Sequence, residues 1–497
     1  MEVRLSHRAS DRTGKDDHVD PAGRGSDRVE GMRLTALGVT EAMGGRLVAG
    51  HTGSEIRGFS IDSRSLTPGD LFFAIRGERF DGHRFIGAAL GAGACGVVLD
   101  NPAAAPPQGP GAPPVVIAVD DTVRALQALG RDVRRASGAK VVAVTGSVGK
   151  TNTKEAAAAF LAARYRVFRS SGNLNNHIGL PLSLLELRHE PEVAVVELGM
   201  NHAGEIRALV ALADPDVRVW TNVAEVHTAF FPSLAAIADA KAELLEGSTP
   251  ATVLVANRDD PLVMARVAGF PGTVITFGFG DDADVRASQV RDLALDGTSA
   301  RLQAAGGEAA LRVPLIGRGN LANVLAAAAS AMALGVTLAD VAETASRLTP
   351  ARHRGEVFRL ASGVTLVDDS YNSNPLALRQ ALEVIALELR CARRVAVLGE
   401  MLELGGSSVA LHEGCGRLAA QSGLRHLITV GGEPAGALAG AAVDAGMPAD
   451  AVEHVATSGE AAGLAVSVLR PGDLVLVKGS RGVGTDLVVD RIRGEFA

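Results

Sequence analysis

The sequence predicts an α/β protein of three domains, and three observations carry that reading. The chain has 497 residues, too many for one ordinary core and suited to about three. From Lys140 onward, short valine-rich runs alternate with alanine-rich stretches, the pattern of parallel strands buried on both faces and joined by helices. A second series of the same kind follows a break at Leu348-Thr-Pro-Ala-Arg-His-Arg-Gly355. The expected divisions are a tail over residues 1–31, a small mixed α/β domain over 32–137, a central α/β domain with a parallel-rich sheet over 138–349, and a C-terminal Rossmann-like α/β domain over 350–497.

Residues 1–31 mix charges of both signs with Gly, Ser and His and lack apolar periodicity, so they read as a disordered tail. Met32 opens more ordinary sequence and is an alternative start; a tail that is simply expressed is the equal reading. The amino terminus has no apolar signal core, and no apolar run approaches the roughly 20 residues that span a bilayer. Cys95, Cys391 and Cys415 are far apart and form no CxxC pair, which excludes a zinc ribbon and a disulfide framework and fits a reducing cytoplasm. The formal net charge is -7 without a basic run, so a nucleic-acid partner is not expected.

In the first domain, Phe59-Ser-Ile-Asp-Ser-Arg64, a Thr-Pro-Gly-Asp turn and Leu71-Phe-Phe-Ala-Ile75 predict strand, turn and strand. A proline- and alanine-rich stretch over 103–114 predicts an exposed loop, and a helix is expected over Thr122–Ala136. In the central domain the predicted strands are Val141–Thr145, Val193–Glu197, Val217–Thr221 and Thr252–Ala256. In the last domain they are Val364–Asp368, Arg394–Leu398, His426–Val430 and Asp473–Lys478. Each run ends in glycine or a polar group, where parallel sheets place their ligands.

The strongest motif is Val141-Val-Ala-Val-Thr-Gly-Ser-Val-Gly-Lys-Thr151. A buried strand enters a tight turn at Gly146, Ser147, Val148 and Gly149, and a helix starts at once. Backbone N–H groups and the helix dipole then converge on an anion. Lys150 suits the β- and γ-phosphates of a nucleotide, and the Thr151 hydroxyl suits Mg²⁺. Val144 stands where the general phosphate loop has glycine, so this loop is a shorter variant. GTPases, kinases, motors and ligases all share such a loop.

Glu197 ends a strand beside the loop, as a Mg²⁺ partner would, or is an ordinary capping or surface glutamate. His227 ends the next strand and by itself is a structural histidine. The segment Ser233–Leu245 reads as a helix capped by Ser233, with Lys241 in the middle of its apolar stripe. Spacing favours a lysine that snorkels to solvent; the other reading is a buried amine that captures CO₂ as an anionic carbamate. Asn320 and Asn323 open another helix, as base-binding amides or as caps.

Together these segments resemble the Mur ligase family, the ATP-dependent amino-acid and peptide ligases of peptidoglycan precursor synthesis, over nearly the whole chain from Met32. The shortened phosphate loop looks like that family's own version. Ser171-Gly-Asn-Leu-Asn-Asn-His-Ile-Gly179, Glu197-Leu-Gly-Met-Asn-His-Ala-Gly-Glu-Ile206, Asp368-Asp-Ser-Tyr-Asn-Ser-Asn-Pro375 and Val397-Leu-Gly-Glu-Met-Leu-Glu-Leu404 are most similar to the branch that joins D-alanyl-D-alanine to UDP-N-acetylmuramoyl-tripeptide. Asp100-Asn-Pro102 lies in the first domain and lacks the arginine of the Asp-Asn-Pro-Arg signature expected late in the diaminopimelate-adding sister.

The resemblance implies that Gly146 to Thr151, with Asn320, Asn323, Arg354 and Asp369, bind ATP. It implies that Thr151, Glu197, His227 and Lys241 as a carbamate serve Mg²⁺, with Lys150, Lys241 and His227 as catalytic groups. Ser60, Asp62, Ser63, Arg64, Asp81, Gly82 and His83 would hold the UDP end of the substrate, and Asn173, Asn176, Tyr371 and Asn372 would line its path. The activity implied is amide formation through an acyl phosphate, by a cytoplasmic, monomeric enzyme whose partners are small-molecule substrates. Domain closure on glycine hinges near Gly138 and Gly355 would assemble the site. Two departures stand out: Thr-Ala-Phe-Phe-Pro after His227, and Arg318-Gly-Asn320 where Arg-His-Asn is common. The rival readings are a sister ligase of the same architecture, and a phosphate-loop kinase or nucleotide switch; the latter leaves the first and last domains without a task.

Overall fold

The computed structural model describes residues 32–77, 80–106 and 112–497. The predicted tail and part of the proline-rich loop lie outside them. Three mixed sheets, beside a two-stranded ribbon of Leu34–Thr35 and Glu55–Ile56, organise the described residues.

The first sheet has five strands in the order Arg46–Ala49, Val115–Ala118, Gly96–Leu99, Asp70–Phe73 and Gly58–Ser60. Only the first pair is antiparallel. Here the sequence reading needs correction. The strand expected over Phe59–Arg64 stops at Ser60, and its neighbour runs parallel to it, with Phe59 opposite Leu71. The cause is a side-chain turn: Ser60 Oγ accepts from Asp62 N–H, and Asp62 Oδ1 accepts from Arg64 N–H. Such local bonds compete with the strand ladder and turn the chain out of it.

The central sheet has nine strands. Seven are parallel: Val167–Arg169, Val193–Glu197, Lys140–Thr145, Val217–Trp220, Val253–Asn257, Thr273–Gly278 and Val285–Asp292. Thr298–Ala304 and Gly307–Val313 extend its edge antiparallel. The sequence reading found the four valine-rich strands but not this edge, because Gly307–Val313 alternates buried and exposed residues rather than forming an apolar run.

The last sheet orders Glu356–Arg359, Thr365–Asp369, Asp473–Lys478, Arg393–Gly399, His426–Val430 and Val452–Val455, antiparallel only at the first pair. Phosphate-loop and third-domain side chains thus project from the carboxyl ends of parallel strands, where open α/β sheets form crevices.

One hydrophobic cluster runs from the first sheet into the central one. Leu71, Phe73 and Ile117 join Leu126, Leu129 and Val133 of the helix Thr122–Ser137, then Leu180, Leu184, Val141 and Trp220. That helix lies on the helix Gly179–Leu185, and Gln127 Nε2 donates to the His177 carbonyl at 2.9 Å. Two further clusters fill the faces of the last sheet, and one of them takes in Leu295 and Ile316 of the central domain. Gly138 and Gly355, the expected hinges, both have left-handed backbone, with φ of 64° and 80°.

Candidate active site

A cavity of about 810 Å³ opens between the central and last domains. Its floor is the phosphate loop. Gly149 has φ 87° and is the N-cap of the helix Lys150–Leu161. A Cβ on it would lie 2.0 Å from Asn323 Oδ1, so side-chain sterics and backbone conformation both demand glycine. Lys150 folds back over the loop, and its Nζ donates to the Gly146 carbonyl at 2.8 Å and the Ser147 carbonyl at 3.4 Å. Burial lowers its pKa, partly opposed by Glu197. Val148 N–H is not free: it donates to Asn222 Oδ1 at 2.8 Å.

Glu197, at the end of its strand and only 4% exposed, accepts from Thr151 Oγ1 at 2.8 Å and from Asn175 Nδ2 at 2.8 Å. It forms no ion pair among the described residues. Asn173 and Asn176 line the same wall, and Asn176 Oδ1 caps the turn into the next helix by accepting from Gly179 N–H. Asn320 Oδ1 accepts from Asn152 and Asn323 amides at 2.7 and 3.2 Å, which ties the two helix starts together.

Lys241 overturns the snorkelling expectation. Its residue is 2% exposed, on the helix Leu234–Ala242 capped by Ser233, and it does not line the cavity. Desolvation pulls its pKa well below the ordinary lysine value, and the nearby Lys150 charge pulls it further. The helix continues into a 3₁₀ turn over Glu243–Leu245, and its buried face also carries Ile237, Ala238 and Ala240. His227, with φ 57°, hydrogen-bonds through Nδ1 to Glu403 Oε2 at 2.6 Å. Burial lowers the His227 pKa, and Glu403 partly offsets this.

The last domain supplies Arg354, Asp369, Tyr371 and Asn372 to the cavity. Arg354 stacks 4.1 Å from the Tyr371 ring centre, a cation–π contact that Arg481 repeats at 5.5 Å from the ring's centre. Asp369 pairs with Lys478 Nζ at 2.5 Å, and the same amine donates to the Asn372 carbonyl at 3.0 Å. Burial raises the Asp369 pKa, with Lys478 opposing. Sequence reasoning missed Asn175, Glu403 and Lys478. The Glu-Met-Leu-Glu segment and the buried lysine closing the run Asp473–Lys478 were the available signals.

The departure at Gly319 has a structural reason. A Cβ there would lie 2.5 Å from Gln380 Oε1 of the last domain, so the missing side chain admits that glutamine. Its neighbour Arg318 stacks 4.2 Å over Phe279.

The first-domain set lies elsewhere; none of it lines this cavity. Arg64 makes a forked pair with Asp62, Nε to Oδ1 at 2.9 Å and Nη2 to Oδ2 at 2.7 Å, while Ser63 lies inside the same turn. Asp81 caps the short turn Gly82–Phe85 and accepts from His83 Nδ1 at 2.6 Å; those bonds lower its pKa. Asp100 Oδ1 lies 3.2 Å from the other ring nitrogen of His83 and 3.1 Å from Arg76. The Asp-Asn-Pro stretch therefore serves this cluster.

A phosphate loop facing a second α/β domain across a cleft, with a first domain packed on the central one, is the architecture of a three-domain nucleotide-binding enzyme. Family models agree across the chain: "Mur ligase family, catalytic domain" over residues 55–134, "Mur ligase middle domain" over 144–331, and "Mur ligase, glutamate ligase domain" over 353–481. The chain belongs to the Mur ligase family. More particularly, it is 33% identical over 459 residues, 92% of this chain and 98% of the relative, to the UDP-N-acetylmuramoyl-tripeptide--D-alanyl-D-alanine ligase of Bacillus subtilis. Among solved structures, MurF from Acinetobacter baumannii superposes with TM-score 0.82 at 31% identity, covering 94% of this chain and all (100%) of that one. MurF ligase from Thermotoga maritima in complex with ADP gives 0.74 at 28% identity, covering 89% and 98%. No helix among the described residues is long and apolar enough to cross a membrane.

Proposed function

We propose that this chain joins the tripeptide carboxylate of UDP-N-acetylmuramoyl-tripeptide to the amine of D-alanyl-D-alanine, consuming ATP. The observation that carries the reading is the cleft itself: a phosphate loop, a buried carboxylate beside it, and a second domain bringing Arg354 and Asp369 to the same cavity. Its support from relatives is similarity along nearly the whole chain to ligases of that name.

A carboxylate is a poor electrophile, so its oxygen first takes the γ-phosphoryl group from ATP and releases ADP. The dipeptide amine then attacks the acyl carbon, the C–O bond to phosphate breaks, and phosphate leaves as the nitrogen gives up its proton. Lys150 turns toward the phosphates and offsets their charge as they approach the carboxylate. Arg354, stacked on Tyr371, adds positive charge from the opposite wall, and Asp369 faces the nucleotide with Asn320 and Asn323 on the base side. Closing the two domains excludes water, which would otherwise hydrolyse the acyl phosphate.

Thr151, Glu197 and His227 fit Mg²⁺ by their chemistry: oxygen donors dominate, and Glu197 is a buried carboxylate held by neutral donors, Thr151 and Asn175, with the Lys150 charge nearby. Bound there, the ion would neutralise phosphate charge. Lys241 fits a carbamate, because a buried amine with a lowered pKa has the neutral form that attacks CO₂. Ser60, Asp62, Ser63 and Arg64, with Asp81, Gly82 and His83, hold the UDP end in the domain over 32–137. The domain over 350–497 receives the dipeptide, near Tyr371 and Asn372, while Asn173 and Asn176 meet the peptide from the central domain over 138–349. The protein acts as a cytoplasmic monomer.

The test is phosphate release from Mg-ATP with UDP-N-acetylmuramoyl-tripeptide, with and without D-alanyl-D-alanine. Release that needs both, with a product heavier by one dipeptide residue, supports the reading. Turnover only with another amine moves the protein to a sister activity, and hydrolysis indifferent to all acceptors removes the ligase altogether.

A further inference from the structure

The loop after the strand Val217–Trp220 and the loop after the strand Arg393–Gly399 belong to different domains, and they meet at three points. His227 Nδ1 bonds Glu403 Oε2 at 2.6 Å, Ala229 N–H donates to the Glu403 carbonyl at 3.1 Å, and Thr228 Oγ1 donates to the Leu404 carbonyl at 2.9 Å. A Cβ on Gly405 would sit 2.8 Å from Ala229 Cα, so the two backbones are in close contact.

Both residues of the central pair are held in uncommon conformations. His227 has φ 57° and Glu403 φ 67°, left-handed values that non-glycine residues adopt only at an energetic cost. Strain of this kind persists only where the surroundings impose it. On the Glu403 side the imposing group is identifiable. His412 is fully buried, accepts from Met401 N–H through Nε2 at 2.9 Å, and reaches the Ser408 carbonyl through Nδ1 at 2.7 Å. It clamps the start of the loop that carries Glu403. Leu402 N–H adds a bond to Ser480 Oγ at 2.9 Å.

The consequence falls on the imidazole. A carboxylate facing Nδ1 keeps the proton on that nitrogen and leaves the Nε2 lone pair free to act as a donor. The carboxylate comes from the other domain, so it reaches His227 only when the two domains are together.

We propose that Glu403 is a positioning residue that transmits docking of the last domain to His227, fixing the ring's tautomer and its aim into the cavity. The proposal deepens the ligase reading and rests on His227 belonging to that site. It implies that the nitrogen presented to the cavity becomes a competent donor as the domains close.

The test compares the full-length wild type with Glu403→Gln, which keeps an acceptor for Nδ1–H, and Glu403→Ala, which removes it. The first measurement needs no substrate: nitrogen chemical shifts of the imidazoles in ¹⁵N-histidine-labelled protein, with His227 assigned by its loss in His227→Gln. The wild type and Glu403→Gln are expected to hold the Nδ1–H tautomer, and Glu403→Ala a mixture. The second is the free Mg²⁺ concentration giving half-maximal phosphate release at saturating substrates. It is expected to rise roughly 10- to 100-fold in Glu403→Ala, as for other groups that orient a metal-binding histidine, and to stay within about threefold in Glu403→Gln by the same reasoning.

An unchanged tautomer in Glu403→Ala overturns the proposal. So does an unchanged Mg²⁺ dependence, or equal damage in both variants. A wild type that holds the tautomer yet shows no acceptor-dependent turnover fails the ligase reading instead, so the two failures are separable.

Discussion

Glu197 holds Thr151 and Asn175 at once, with one carboxylate oxygen 2.8 Å from the threonine hydroxyl and the other 2.8 Å from the asparagine amide. It joins the phosphate-loop helix to the segment Ser171–Gly179, whose Asn173, Asn175 and Asn176 line the cavity. Glu197→Gln preserves size and one acceptor but removes the charge. Phosphate release is expected to fall about 10²- to 10³-fold, the scale of losing one electrostatic stabiliser, while the thermal unfolding midpoint hardly moves. A retained rate would remove Glu197 from the metal set.

Lys241→Met is expected to act in opposite directions on activity and on stability. The methionine fills similar space without a buried amine, so the unliganded protein is expected to gain about 1 kcal/mol or more, while phosphate release collapses. The sign with pH follows from the lowered amine pKa. Between that value and the ordinary lysine value, the unfolded chain binds more protons than the folded one, so stability rises with pH across the window. Subtracting the Lys241→Met profile from the wild-type one should reveal that slope. Equilibration with ¹³C-bicarbonate should add a carbamate carbon signal to the wild type that the variant lacks.

Arg64→Ala is expected to raise KM for the UDP-linked substrate about tenfold with kcat nearly unchanged, the signature of binding shared by ground and transition states. The guanidinium is largely solvent-facing and pre-aligned by its fork to Asp62. A fall in kcat with KM constant would place Arg64 outside substrate binding.

Lys478→Met leaves Asp369 without its ion partner. Asp369 keeps some contact with the cavity, 22% of its side chain being exposed, so the loss should lie near the low end of the roughly 3–5 kcal/mol seen for broken buried pairs. The Asp369 pKa is already raised and should climb further. A raised carboxyl pKa means the folded state binds more protons above the ordinary aspartate value, so the destabilisation grows as pH rises through the folded pKa. Urea unfolding at acidic and neutral pH checks this, and Asp369→Asn added to the variant should recover part of the loss.

What the sequence disclosed was whatever it wrote locally. The strand and helix that flank the phosphate loop, Glu197 closing its strand and Ser233 capping its helix all depend on neighbours within a few positions, and the structure forms all three. Lys241 could not be judged that way. An apolar stripe fits both a snorkelling and a buried lysine, and only the packing of the surrounding domain decides. The contacts of Glu403 and Gln380 could not be read for a related reason: their partners, His227 and Gly319, lie in another domain. Lys478 ends a plainly legible strand, yet its bond to Asp369 spans two strands distant in sequence. The first-domain strand beyond Ser60 failed because a side-chain turn there outcompeted strand propensity.

The hydrophobic cluster that passes from Phe73 through Leu126 to Leu180 and Trp220 has a bearing on how this chain can be cut and expressed. A fragment ending near residue 349 keeps that cluster whole and is expected to be soluble and to melt in one cooperative step. A fragment ending near residue 120 strips the first sheet of the helix that covers it, exposes Leu71, Phe73 and Ile117, and is expected to aggregate. In calorimetry of the intact chain, the first two sheets should therefore share a single heat-absorption peak.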